Sequence, residues 1–144
     1  MSGRLQIDLL ALAHNYRVLG GGNVEKLAAV VKADAYGLGA NEVATALWSE
    51  GCRDFFVAQA AEGVDLRRLL PDAHIYVLEG VTPSSRAVLA GQSLRPVLNN
   101  IEQCALWSQS GLPAALQLDS GMARLGLNVD EVMPVSRDYD LDVR

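Results

Sequence analysis

The chain has 144 residues, half of them hydrophobic and a fifth charged, with 12 basic against 17 acidic side chains for a formal net charge of −5. That balance supports one ordinary globular core, excludes general disorder and argues against nucleic acid as a partner. Apolar stretches such as 28–31 and 113–118 fall far short of the roughly 20 residues of a bilayer span, and no basic-then-apolar segment opens the chain, so the sequence reads as cytoplasmic and without membrane contact.

In chain order, IDLLALAHNYRVLGGG (7–22) reads as a brief strand and then a helix, turning near Asp8 or Leu9 and closed by the glycines. Five apolar runs follow, LAAVV (27–31), FFVA (55–58), IYVL (75–78), PVL (96–98) and AALQL (114–118), each with the β-branched, aromatic and aliphatic content of a buried strand. Their last core residues, Val31, Val57, Val77, Val97 and Leu116, are 26, 20, 20 and 19 residues apart, the length of one strand plus one returning helix. Segments of helical period lie between them at 41–51, 60–70, 82–91 and 101–111, with Thr82-Pro83 as a start signal and Gly111 as a stop. DLDVR (140–144) resembles the opening of a sixth strand.

Strand alternating with helix predicts an α/β protein with a parallel sheet, either a doubly wound open sheet or a (β/α)8 barrel. A complete barrel needs roughly 250 residues, so on this reading only about five βα units of one are present.

Two stretches carry chemistry. AVVKADAYGLGA (29–40) places Lys32 directly after apolar strand residues, where an ammonium is costly to bury without a purpose. At the mouth of a parallel barrel a partly desolvated lysine favours its free amine, which can attack an aldehyde; the alternative is a lysine that merely snorkels from a strand end. Tyr36, Gly37 and Gly39 follow closely, the glycines allowing close backbone approach to a bound group. In LQLDSGMARLGL (116–127) a strand ends near Asp119 and Arg124 follows a Ser-Gly turn, its planar fork suited to a carboxylate or phenolate.

Other polar groups are less informative. Cys52 and Cys104 lack metal-ligand or paired spacing and read as buried free thiols; His14 and His74 have no catalytic or metal partner in sequence, and no metal is expected. Asp138, Asp140 and Asp142 lack the spacing of a cation loop, and Trp48 and Trp107 read as packing residues.

Three blocks, IDLLALAHNYRVL at 7–19, AVVKADAYGLGA at 29–40 and LDSGMARLGL at 118–127, with FFVAQAAEG (55–63) between them, resemble the N-terminal part of the alanine racemase family. The resemblance spans nearly all 144 residues but well under half of a typical member. It implies a (β/α)8 TIM-type barrel of which this chain holds about the first five βα units, with 1–22 as leading strand and helix, 23–144 as βα units, and the rest of the barrel and a β-rich domain absent.

The resemblance further implies pyridoxal 5'-phosphate as cofactor, L-alanine to D-alanine racemisation for the cell wall, a small amino-acid substrate and a homodimer. Lys32 matches the lysine that holds the cofactor and acts as one of two catalytic bases. Tyr36 matches a tyrosine on the cofactor phosphate, Arg124 an arginine that meets the ring oxygen and the substrate carboxylate, and Leu78 a residue packing beside the ring. The second base, a tyrosine of the β-rich domain of the partner subunit, matches nothing here, so the chain by itself is expected to be inactive. Two positions depart from the family: Leu38 stands where histidine is frequent, and Gln117 where a lysine, carbamylated in some relatives, positions the arginine. The alternatives are a non-catalytic pyridoxal-phosphate-binding barrel, a serine racemase or a decarboxylase of the same barrel type, and a structural fragment with no bound ligand.

Overall fold

A computed structural model describes residues 3–144. Helix α1 (Leu9–Gly20) starts the fold and a 3-10 turn (Val24–Lys26) leads into strand β1 (Ala29–Val30). A short helical turn α2 (Lys32–Gly37) and helix α3 (Ala40–Ser49) come next, and strand and helix then alternate: β2 (Asp54–Val57), α4 (Ala60–Leu69), β3 (His74–Val77), α5 (Arg86–Gly91), β4 (Arg95–Leu98), α6 (Ile101–Ser108), β5 (Pro113–Leu116), α7 (Val129–Asp138) and β6 (Asp142–Val143).

The strands lie in the order β1-β2-β3-β4-β5-β6 and every neighbouring pair is parallel. A doubly wound sheet would reverse its strand order at a switch point. No reversal occurs, so the sheet is part of a TIM-type barrel wall, and the choice left open by the sequence is decided.

Registered rows show how the wall is built. Ala29, Phe55 and Ile75 form one row and are buried, forming the core with Leu47, Leu66, Leu89, Trp107 and Val135 from the helices. The adjacent row, Val30, Phe56, Tyr76 and Arg95, lines the opposite, inner face. There Phe56 stacks on Tyr76 with ring centroids 4.7 Å apart, and Arg95 Nη1 donates to the Tyr76 hydroxyl at 2.8 Å.

Trp107 is fully enclosed and donates Nε1 to Leu112 O at 3.0 Å, whereas half-buried Trp48 carries the Arg53 guanidinium 4.0 Å above its ring. Both cysteines are buried and free. Burial pushes the Cys104 thiol up to about 11 and raises that of Cys52, so both are held protonated as core residues.

Two differences from the sequence reading have clear causes. Among the described residues no strand precedes α1, because the Asp8 carboxylate accepts from Leu10 N (2.9 Å) and Ala11 N (3.0 Å) and starts the helix directly, while Leu5 and Ile7 are exposed and lie outside any element. Helix α7 is an additional element, concealed in the sequence by Pro134 in its interior and started by reciprocal capping between Asn128 and Glu131.

Candidate active site

All six strands are parallel, so their C-terminal ends share one edge, where barrels carry their functional loops. Lys32 stands at that edge after β1 and is half-buried. The four residues after it, Ala33, Asp34, Ala35 and Tyr36, all have φ between 50 and 56°, so α2 turns left-handed through four non-glycine residues before Gly37. That conformation costs about 1–2 kcal/mol per residue and persists only where surrounding contacts hold it.

Five such contacts are present. Ala35 N donates to Val31 O (2.9 Å), Leu38 N to Ala35 O (3.2 Å) and Gly39 N to Asp34 O (3.0 Å); Ala40 N donates to Asp34 Oδ1 (2.7 Å) and Ala33 N to Glu62 Oε1 (2.8 Å). Ala35 is buried as the inward plug of the turn, while Tyr36 is 65% exposed. Gly39 closes the turn at φ +92°, a value that side chains rarely adopt.

Neighbouring loops are laced together along the rim. Glu62 also accepts from Ala58 N (2.6 Å) and Gln59 N (3.1 Å), joining the loop after β1 to the one after β2. Glu79 accepts from Ala60 N (3.0 Å), joining the loops after β2 and β3. Gln103 accepts from Asn99 N (2.9 Å) and donates to Glu79 O (3.0 Å), and Asn99 Nδ2 donates to Leu78 O (3.0 Å) and Val97 O (2.9 Å). Those two carbonyls fix the orientation of the Asn99 amide, whose buried Oδ1 has no partner. Gly80 adopts φ +77°, which side chains rarely do, and a Cβ there would displace the Gln103 amide from these bonds.

Leu78 continues the β3 ladder through its N–H to Val57 O (2.9 Å), so strand alternation puts its half-buried side chain on the same inner face as Tyr76. Arg124 lies exposed in the loop between β5 and α7. Within that loop Asp119 Oδ1 accepts from Gly121 N (2.9 Å) and Ala123 N (3.0 Å), and these bonds hold its carboxyl below the usual carboxylate range. Gly126 lets the chain fold back, because a Cβ there would sit 2.7 Å from Asp119 N. Gln117 Nε2 donates to Leu125 O at 3.4 Å, so this amide steadies the backbone beside Arg124.

A family description, alanine racemase N-terminal domain, matches residues 7–140. The chain belongs to the alanine racemase family. It is 50% identical over 137 residues to the alanine racemase of Brucella suis, covering 90% of this chain and 35% of that protein. The solved structure of biosynthetic alanine racemase from Pseudomonas aeruginosa superposes with a TM-score of 0.82 at 36% identity, covering 96% of this chain and 40% of that one. Alanine racemase from Bartonella henselae, solved with covalently bound pyridoxal phosphate, superposes with a TM-score of 0.81 at 34% identity over 94% of this chain and 42% of that one. This chain therefore spans between a third and a half of the length of these family members.

Of the four residues singled out in the sequence, the family fold puts Lys32 and Tyr36 on one turn after β1, Leu78 two strands away, and Arg124 after β5. In an eight-stranded mouth, β5 would face β1 across the opening. Sequence reading missed Glu62, Glu79, Asn99 and Gln103. Glu62 had a local signal, the Gln59/Glu62 capping pair; its contact with Ala33 N spans 29 residues and leaves no local mark. A cleft of about 690 Å³ lies behind the Lys32 turn between α3 and α4, over Val31, Val57 and Leu66. No group of three or more His, Cys, Asp or Glu among the described residues is arranged to hold a metal. Among the described residues no helix is long and apolar enough to cross a membrane.

Proposed function

We propose that this chain supplies the lysine side of a pyridoxal-phosphate-dependent amino-acid racemase acting on alanine. The observation that carries this reading is the placement of half-buried Lys32 at the end of β1, on a left-handed turn tied at five points. The donor set suits an aromatic aldehyde bearing a phosphate: an amine at Lys32, an apolar inner-face side chain at Leu78, an exposed hydroxyl at Tyr36 and an exposed guanidinium at Arg124. When bound, that cofactor supplies an electron sink that makes the substrate α-proton acidic.

Lys32 would hold the cofactor through Nζ and, once released by substrate, take up or return the α-proton from one side. Tyr36 would orient the phosphate, Leu78 would shield the ring from water, and Arg124 would donate to the ring oxygen and the substrate carboxylate. Inversion needs a second acid/base on the opposite side. Tyr16 is occupied by Leu27 O (2.8 Å) and Val24 O (3.1 Å), Tyr76 by Arg95 and Phe56, and Tyr139 precedes β6 at the opposite edge; following the family resemblance, we assign the second base to the longer protein, at the interface of a homodimer. The domain plan is then a barrel that begins with these βα units, completed by further strands and a β-rich domain. In the cytoplasm the product would serve the cell wall.

The test is reductive trapping. Pyridoxal phosphate and borohydride should fix the cofactor to Lys32 in preference to Lys26, which lies in the 3-10 turn before β1. Mass spectrometry of the two peptides reads the result, and preferential recovery on Lys26 would remove Lys32 from its assigned role.

A further inference from the structure

We propose that Glu62 is a positioning residue for Lys32: its carboxylate, through the Ala33 amide, fixes the turn that carries the lysine. This inference rests on the reading of Lys32 given above. Glu62 Oε1 accepts from Ala33 N at 2.8 Å, while Oε2 accepts from Ala58 N at 2.6 Å and Gln59 N at 3.1 Å. Helix capping of α4 needs only the second oxygen. The first reaches 29 residues back to the amide next to Lys32. No cation among the described residues pairs with Glu62, so its oxygens are directed to backbone amides.

Ala33 is the first of the four left-handed residues, with φ 52° and ψ 50°. An alanine relaxes toward the right-handed or extended region once its restraint is lost, and rotation there re-aims the adjacent Lys32. Of the later bonds, that of Ala35 N to Val31 O encircles the Lys32–Ala33 peptide, but none of them, at Ala35, Gly39 or Ala40, engages its N–H or joins it to a neighbouring loop. Glu62 does, and it ties that peptide to the loop after β2, which is joined to the rest of the rim through Glu79.

The experiment uses the chain with Glu62→Gln, which keeps the side chain's shape but cannot accept N–H bonds on both sides. Two quantities are read: the exchange rate of the Ala33 amide, and the ratio of Lys32 to Lys26 adducts after trapping with pyridoxal phosphate and borohydride. Exchange at Ala33 should quicken at least tenfold and the ratio should fall at least fivefold, while Glu79→Gln leaves both within twofold. Adding Ala33→Gly to Glu62→Gln should restore the ratio, because glycine adopts the left-handed conformation without restraint. Recovery of that kind separates positioning from general loosening.

If Glu62→Gln does not fold, Glu62→Asp, too short to span both loops, gives the same comparison. A folded Glu62 variant with both readings within twofold of the parent overturns the proposal, as does an equal loss in Glu79→Gln. Equal labelling of Lys32 and Lys26 in the parent chain would instead remove the cofactor reading of Lys32, leaving the tether to be judged by Ala33 exchange alone.

Discussion

Asp119 shows how much of this site is backbone control by a single side chain. Its carboxylate receives the amides of Gly121 and then Ala123, which favours the charged form and lowers its pKa on folding. A group whose folded pKa is depressed stabilises the fold above its unfolded value, near 3.9 for aspartate, and that contribution fades as pH falls through the folded value. The loop bearing Arg124 should therefore stay closed from neutral pH down to about 4 and loosen only below it. Amide chemical shifts of Gly121 and Ala123 followed by NMR report this; a midpoint at or above that of an ordinary aspartate would refute it. Lys32 and Arg124 stood out in sequence because each lies beside a strand end or a Ser-Gly turn, whereas Tyr36 and Leu78 were singled out through the family resemblance. Glu62 was not, because its decisive partner is distant in sequence and near only in the folded barrel.

At the scale of elements, strands and most helices follow from local chemistry: apolar runs at near-regular intervals, and caps such as Asn100, which accepts from Gln103 N at 2.9 Å. Helix α7 departs from that pattern. Pro134 cannot donate to the carbonyl of Asp130 and crowds the preceding turn, so α7 forms despite its own sequence, secured by the Asn128/Glu131 caps and by Val135, which is 1% exposed. An interior proline costs a helix about 3 kcal/mol. Pro134→Ala should accordingly raise stability by roughly 1–3 kcal/mol, seen as a higher urea midpoint. No gain would mean that the half-buried proline ring contributes packing equal to the hydrogen bond it removes.

Across the whole molecule the two edges of the sheet are fastened differently. The C-terminal rim is laced by Glu62, Glu79, Asn99 and Gln103, one loop to the next. Below the opposite edge, Arg67 of α4 gathers five backbone carbonyls: Gln92 O (3.0 Å) through Nε, Leu70 O (3.4 Å), Pro71 O (2.7 Å) and Ala73 O (2.7 Å) through Nη1, and Ser93 O (2.9 Å) through Nη2. Burial, and then the charge of Arg95, lower the Arg67 pKa, and these carbonyls compensate for lost water. A lysine presents its donors from one point and cannot span both loops. Arg67→Lys should cost roughly 2 kcal/mol in chemical denaturation while leaving Lys32 trapping intact, since it is far from the mouth. A change below about 0.5 kcal/mol would show that solvent replaces the guanidinium at little cost.

By itself the sequence determined that strands and helices alternate, where five strands fall, and that an exposed-class amine follows an apolar run at Lys32. Those properties are local: they depend on side-chain apolarity, chain period and the restricted backbone of Gly and Pro near each position. Only the tertiary structure decided between an open doubly wound sheet and a barrel wall, because both share the same alternation and differ in which strands pair, from β1 beside β2 through to β5 beside β6. It also decided that Ala33 to Tyr36 turn left-handed: no residue there favours that conformation, and what holds it includes a carboxylate from α4 and a buried alanine plug. Long-range contacts can impose on a backbone what its own side chains disfavour, and that is why the lysine was visible in the sequence and its setting was not.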